Sequence, residues 1–548
     1  MDNIFYRMVK KHTPEFNPLI VEGLATHFMK EAESYLHNAF MANNDSLIPG
    51  LEYVGYRVCT ELEEYVEATK LRNNKRIYDI ARSDVYMIMI EMKYKGKMLP
   101  PRPIYLPFVG EGGTMYINGV LYHLPPVLTD NVISPDDRSV FIRILKGKIT
   151  LPGEYHSISV NGKVVTNIVL GAPLHRQTKT APGRAPPTTK ANTCVTHYLL
   201  GKYGLTKAFE KYLGYVPDIT DENYDRAKYD NDDWVICTSS YFGTGDVPKT
   251  YIAGYYKPTN IHVMVRRDKW DALARSFVTE LFYILDNFPE MFRPVLSELN
   301  EVSQWRLTIG HIVESGAMGA GHLFKKVAEH YKSLDHYLDY QHIQKLRNSG
   351  YYVEDFYDLL ALVMKNFRQF RNSKANNRLS TYGKSLEVLY FALYSITYSY
   401  VTLGFHLTKL ASKRDLDEND VTAAMAKHFK IGSIFQLTSN SIAAETVSYS
   451  GDHMFLKITS KTNEQEANPG GRRGGSGRTA VNDSTHLHIS GVETGSVLYL
   501  SKSHPVVTLH SNPFMHIDPA TGTILRNPEL QPILAEAERE LLQISNIE

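Results

Sequence analysis

Apolar and polar positions alternate over residues 113–141, GTMYINGVLYHLPPVLTDNVISPDDRSVF, and the alternation predicts a β-hairpin. Met115, Ile117, Val120 and Tyr122 flank Asn118-Gly119, the pair that a tight two-residue turn requires. Val85-Tyr86-Met87-Ile88-Met89-Ile90 is an apolar run of strand length, so residues 77–149 read as strands. Residues 1–75 read mainly as helix, with charged and apolar positions mixed at helical spacing through 61–70. A strand candidate at 251–265 precedes a helix-dominated block, 270–410. Within it Leu389, Leu393, Ile396, Tyr400, Leu403 and Leu407 follow spacings of 4, 3, 4, 3 and 4, the seam of a buried or partner-facing helix. Strands return over 434–517 around a glycine-rich stretch. A last helix, 528–548, places Leu530, Ile533, Leu534, Ala537, Leu541 and Ile544 on one face. Blocks of strand alternating with blocks of helix predict a multi-domain α+β chain, with one domain inserted into another.

A chain of 548 residues holds several domains with sizeable cores. Sixty basic and fifty-nine acidic residues leave no net field, so any contact with a polyanion has to come from local patches. Cys59, Cys194 and Cys237 stand far apart without a C-x-x-C, which gives no disulfide framework or cysteine zinc site and fits a reducing compartment. The N-terminus has no apolar core of signal-peptide length, and the longest uncharged run, 388–408, is crowded with Tyr, Ser and Thr. A soluble protein with no membrane partner is expected.

Three local patches do stand out. Residues 155–209 contain no Asp or Glu but seven basic residues, among them Lys179, Arg184 and Lys190. Cations without intervening carboxylates replace the condensed counterions of a phosphate backbone; a solvated basic loop is the alternative. A second series, Lys365, Arg368, Arg371, Lys374 and Arg378, is spaced 3, 3, 3 and 4 with no acid between Asp358 and Glu387. Helices that merely face water intersperse Glu with Lys, because opposite charges at i+4 stabilise them, so this stripe points to a phosphate or a partner. The third patch, Pro469 to Arg478, combines five glycines with Arg472, Arg473 and Arg478. No Gly-Lys-Ser/Thr closes it, so it is a mobile cationic loop or a linker rather than a nucleotide-binding P-loop.

Catalytic and metal signatures are weaker. Thr485-His486-Leu487-His488 offers two imidazoles but no fixed third ligand. Asp230-Asn231-Asp232-Asp233, beside Asp221, Glu222 and Asp225, reads as a solvated acidic loop. No G-x-S-x-G or H-E-x-x-H motif occurs. No catalytic residue and no metal ligand are therefore assigned to this chain.

The hairpin wording resembles the "GTF-INGTERV…QL-RSPGV-F" segment of the β subunit of multisubunit RNA polymerases, with Leu106-Pro107-Phe108 and Gly110-Glu111-Gly112 as its lead-in. Asn376-Asn377-Arg378-Leu379-Ser380-Thr381-Tyr382-Gly383 is similar to the family's "NRRVRTVGE". Residues 420–432, DVTAAMAKHFKIG, resemble its "AAVKEFFGSS" helix. Pro469-Gly470-Gly471, Val481-Asn482-Asp483, Thr485-His486 and Glu493-Thr494-Gly495 resemble "PGG", "VRD", "TH" and "ETPEG". The segments run in the β order, over about residues 80–500. Asn482 stands where the family has Arg, and both prolines of "P-I-E-T-P-E-G" are missing.

Short divergent chains of this kind look like the split β subunits of giant phages resembling phiKZ, and the resemblance implies the N-terminal half of one. It implies a protrusion (1–150 and 350–428), an inserted lobe (151–349), a fork (429–515) and a C-terminal docking segment (516–548). Thr485, His486 and Glu493 would lie near the active centre. The nucleic-acid contacts expected are Lys179, Arg184, Lys190, Arg368, Arg371, Arg378, Arg472, Arg473 and Arg478. The chain itself would bind no cofactor; the assembled nucleotidyltransferase would hold Mg2+ on a β′-like subunit. The implied partners are a β C-terminal half, β′-like subunits, a promoter-specificity subunit, the DNA template and the RNA product, in the cytoplasm of an infected bacterium, with a virion-packaged form left open. The rival classes are a phage structural or DNA-packaging protein and a stand-alone single-stranded nucleic-acid binder.

Overall fold

The computed structural model describes residues 17–72, 85–110, 113–117, 120–123, 126–129, 131–135, 139–144, 147–172, 193–221, 223–240, 261–287, 298–313, 319–372, 380–387, 390–429, 445–446, 457–460, 490, 494, 508–510, 512, 514–532, 535–536 and 539. The chain is mixed α and β and folds into two compact units, residues 1–131, 339–348 and 374–548 forming one and residues 132–338 and 349–373 the other.

In the first unit, the strand Val85–Tyr94 pairs antiparallel with Leu51–Val58 on one side and with Lys97–Met98 and Arg102–Pro107 on the other. Met87, Ile88, Met89 and Ile90 are all buried, as a strand covered on both faces requires. The helices Ala32–Ala42, Tyr390–Ala411 and Glu418–His428 share this core, in which Phe40 stacks on Tyr400 at 4.7 Å. Leu393, Ile396, Tyr400, Leu403 and Leu407 are buried within it, so the seam is an internal one. Gly404 permits that approach: a Cβ there would collide with the Ser46 carbonyl. No helix among the described residues is long and apolar enough to cross a membrane.

The hairpin strands Thr114–Ile117 and Val120–His123 pair Met115 with Tyr122 and Ile117 with Val120, the register the alternation predicts. The helical reading of residues 1–75 needs a correction. Leu51–Val58 is a strand, because Leu51, Tyr53, Tyr56 and Val58 supply β-formers that match Val85–Tyr94 across a bulge between Tyr53 and Gly55.

The second unit is built on a seven-stranded sheet. Its hub, Gly147–Val160, pairs first with Ser139–Ile144 and then with both Lys163–Leu170 and Trp234–Ser239. The strand His262–Arg266 falls inside the expected 251–265 stretch up to its last residue and joins Asp218–Thr220 at the sheet's far side. The helices Val195–Tyr203, Ala272–Asn287, Val302–Val313, Ala320–Leu334 and Phe356–Asn372 pack in this unit around Trp305, Phe277, Phe282 and Tyr357, all buried. In the acidic loop, Asp221, Asp225 and Asp230 each accept the N–H two residues on, spending their carboxylates on turns.

Candidate nucleic-acid interface

The helix Phe356–Asn372 buries Phe356, Leu360, Val363, Met364, Phe367 and Phe370, and leaves Lys365 and Arg368 exposed on its other side. It is not straight. Asn366 sits at φ −110° and ψ 16°, and its Nδ2 donates to the Leu362 carbonyl at 3.1 Å. A side chain that bonds the carbonyl one turn back is a recognised cause of helix bending.

Around this bend the second unit opens a cleft of about 280 Å³. Its floor is apolar, made by Ile168 and Leu170 of the strand Lys163–Leu170 together with Met364 and Phe367. Arg275, Lys365 and Arg368, all exposed, stand at its mouth, with Asn167, Asn366, Gln369 and Ser276 as polar groups. Asn167 is held in place: its Nδ2 donates to Thr279 Oγ1 at 3.0 Å, and that hydroxyl donates to the Arg275 carbonyl at 2.7 Å.

Charge is the unusual property of the cleft. Among the described residues, no Asp or Glu lines it and neither Lys365 nor Arg368 has an ion-pair partner. Arg275 reaches the carbonyl of Asp271, the residue before its helix, at 3.4 Å. Other cations of the same unit are neutralised, Lys202 by Asp335 at 2.7 Å and Lys211 by Asp358 at 2.8 Å. The cleft also receives the first turn of the helix Ala272–Asn287, whose N–H groups carry partial positive charge, although Asp271 caps one of them by accepting from Ala274.

A buried clasp lies under the cleft. Glu280 is fully buried, and its two carboxylate oxygens accept the N–H groups of Leu170 and Thr196, each at 2.7 Å. Burial pushes its carboxyl up to about 7, against the pull of these two bonds. Ala172 donates its N–H to the Thr193 carbonyl at 2.8 Å, and the Thr193 hydroxyl bonds back to the Ala172 carbonyl at the same place. Residues 172 and 193 bracket the sequence that carries Lys179, Arg184 and Lys190, so both ends of that sequence are fixed near Leu170, a residue of the cleft floor.

Of the residues singled out in the sequence, Arg368 lines the cleft beside Lys365. Arg371 does not; its guanidinium lies 6.0 Å from the Phe367 ring and its Nε donates to Asn372 Oδ1 at 3.4 Å. Lys179, Arg184, Lys190, Arg378, Arg472, Arg473, Arg478, Thr485, His486 and Glu493 lie outside the described residues. Arg275, Asn167, Asn366 and Gln369 belong to the cleft but escape a reading of the sequence. Arg275 is a lone cation in an amphipathic helix, and its neighbours in space lie some ninety residues away along the chain.

Among the described residues, cations gathered in a cleft without carboxylates are an arrangement that suits an anionic ligand on this mixed α and β chain. The model of one protein family, described as non-virion RNA polymerase subunit, matches residues 2–539, and the chain belongs to that family. It is therefore a subunit of an RNA polymerase and has other polymerase subunits as partners. No curated protein matches the chain.

Proposed function

We propose that this chain is the N-terminal half of a split, β-like subunit in a phiKZ-like phage polymerase, and that its role is positional rather than catalytic. It forms one side of the DNA channel and borders the active centre, while Mg2+ is held by carboxylates of a β′-like subunit. The observation that carries this is one of place: four β-like motifs fall in the β order between residues 106 and 495, inside a family match that spans 2–539. A second unit of residues 132–338 and 349–373, lying in sequence within the first, supports an inserted lobe. Lys365 and Arg368, in the 350–428 stretch and without an ion-pair partner among the described residues, support a phosphate-facing surface there. The other proposed contacts are Lys179, Arg184, Lys190, Arg371, Arg378, Arg472, Arg473 and Arg478, with Thr485, His486 and Glu493 near the active centre. The assembled enzyme works in the cytoplasm of the infected bacterium.

The test is affinity purification of the tagged chain from infected cells. A β half brings a β C-terminal half and β′-like chains at equal stoichiometry. Homo-oligomers free of polymerase chains would instead favour a structural or packaging protein.

A further inference from the structure

We propose that the cleft at the Asn366 bend is a binding site for a nucleoside di- or triphosphate, whose phosphate tail is the phosphate that Lys365 and Arg368 face. The inference rests on the geometry of one unit, and it stands whether or not the chain is a β half.

Three observations set the ligand class. The first is size and lining: a cleft of about 280 Å³ with Ile168, Leu170, Met364 and Phe367 as its apolar lining lies just below the range of ordinary small-molecule sites, which begins at about 300 Å³, and so takes part of a ligand, with the rest outside. A flat ring system with a tail leaving through the mouth fits that lining; a base stacked and paired inside a duplex cannot enter it. The second is charge. Arg275, Lys365 and Arg368 gather three positive charges at one mouth, with no carboxylate among the described lining residues. A backbone diester carries one negative charge, whereas the terminal tail of a nucleoside di- or triphosphate carries about three or four, so the tail is the better match. Ser276 and the first turn of the helix Ala272–Asn287 add donors to the same tail.

The third is the polarity of the lining. Asn167 and Asn366 each donate one amide N–H, to Thr279 and to Leu362, and keep a second N–H and a carbonyl oxygen, a donor and an acceptor that suit the edge of a nucleobase ring. The bend supplies the arrangement. Lys365 and Arg368 are three residues apart on a helix interrupted at Asn366, and both line the cleft. With no Asp or Glu among the described lining residues to hold it, magnesium bound to the tail would compete with the side chains for its charge, and excess magnesium weakens binding.

Calorimetric titration of the full-length chain, alone, tests this with ATP, GTP, ADP, AMP and a single-stranded deoxyoligonucleotide without terminal phosphates. ATP or GTP binds at one site, AMP binds at least tenfold more weakly than the triphosphate, and excess magnesium lowers the affinity. The triple variant Arg275→Ala/Lys365→Ala/Arg368→Ala loses at least tenfold. Arg368→Gln, which keeps the length and drops the charge, loses part of that, and an unchanged melting temperature shows that it folds. Silence with both triphosphates at millimolar concentration overturns the proposal, as does a triple variant that binds like the parent. An oligonucleotide that displaces ATP with comparable affinity also overturns it, in favour of strand binding. None of these results alters co-purification with polymerase chains, so the two proposals fail separately.

Discussion

Glu280 and Thr196 are joined by a 2.7 Å hydrogen bond in which a buried carboxylate oxygen accepts a first-turn N–H of the helix Val195–Tyr203. The other oxygen accepts from Leu170, so one side chain ties a helix start and a strand end to the helix Ala272–Asn287. Replacing Glu280 with Ala leaves two buried donors unpaired. At roughly 1–3 kcal/mol for each, the loss is at least about 2 kcal/mol, measured by urea unfolding.

The same carboxyl predicts a pH dependence. Its ordinary value of 4.5 is raised to about 7 by burial, so the folded state holds the proton more tightly than the unfolded chain. The stability from this group is complete below 4.5 and is lost as pH rises to about 7, by an amount on the order of 3 kcal/mol. Glu280→Gln cannot ionise, so its unfolding free energy is flatter than the parent's between pH 5 and 7. Parallel slopes for the two proteins would contradict the assignment.

In the first unit, Lys345 and Glu387 form an ion pair at 2.6 Å with side chains only 13% and 4% exposed. It ties the helix Tyr340–Asn348 to the strand Ser385–Glu387. Lys345→Met takes the cation from a buried carboxylate and costs up to about 3–5 kcal/mol, whereas Lys345→Met combined with Glu387→Leu recovers much of that loss. Chemical unfolding of the two variants checks the order.

Where a segment carries its own period, the fold was legible. The alternation around 114–123 and the seam over 393–407 became a hairpin and a buried helix, because two-residue and 3.6-residue repeats state which face is covered. The strand Leu51–Val58 was not legible, because its partner Val85–Tyr94 decides it and no local pattern announces a bulged pairing. The candidate site was half legible. The missing acids marked Lys365 and Arg368, but Arg275 and Asn167 join them only through the packing of three distant segments, and the bend at Asn366 comes from a side chain bonding its own helix.

The basic sequence between the fixed residues 172 and 193 gives a salt prediction. Lys179→Ala/Lys190→Ala with Arg184→Ala weakens binding of downstream duplex by the assembled polymerase. Each lost phosphate contact lowers the slope of log affinity against log salt by about 0.9, so three lower it by about 2.7. Fluorescence anisotropy over a salt series reads this, and an unchanged slope would remove these residues from the DNA path.

Arg472, Arg473 and Arg478 are proposed to act at the fork. Changing all three to Ala slows elongation or weakens the open complex while subunit assembly stays intact, read by single-round transcription and gel filtration. Normal elongation at moderate salt would make this stretch a linker.

A positional, non-catalytic β half is tested most directly by reconstitution with omission. Template-directed RNA synthesis is measured for this chain alone, for the remaining polymerase subunits without it, and for the complete set. The account predicts no RNA from the first two mixtures and robust synthesis only from the third. RNA made by this polypeptide alone, or full activity of the set that lacks it, would contradict the account.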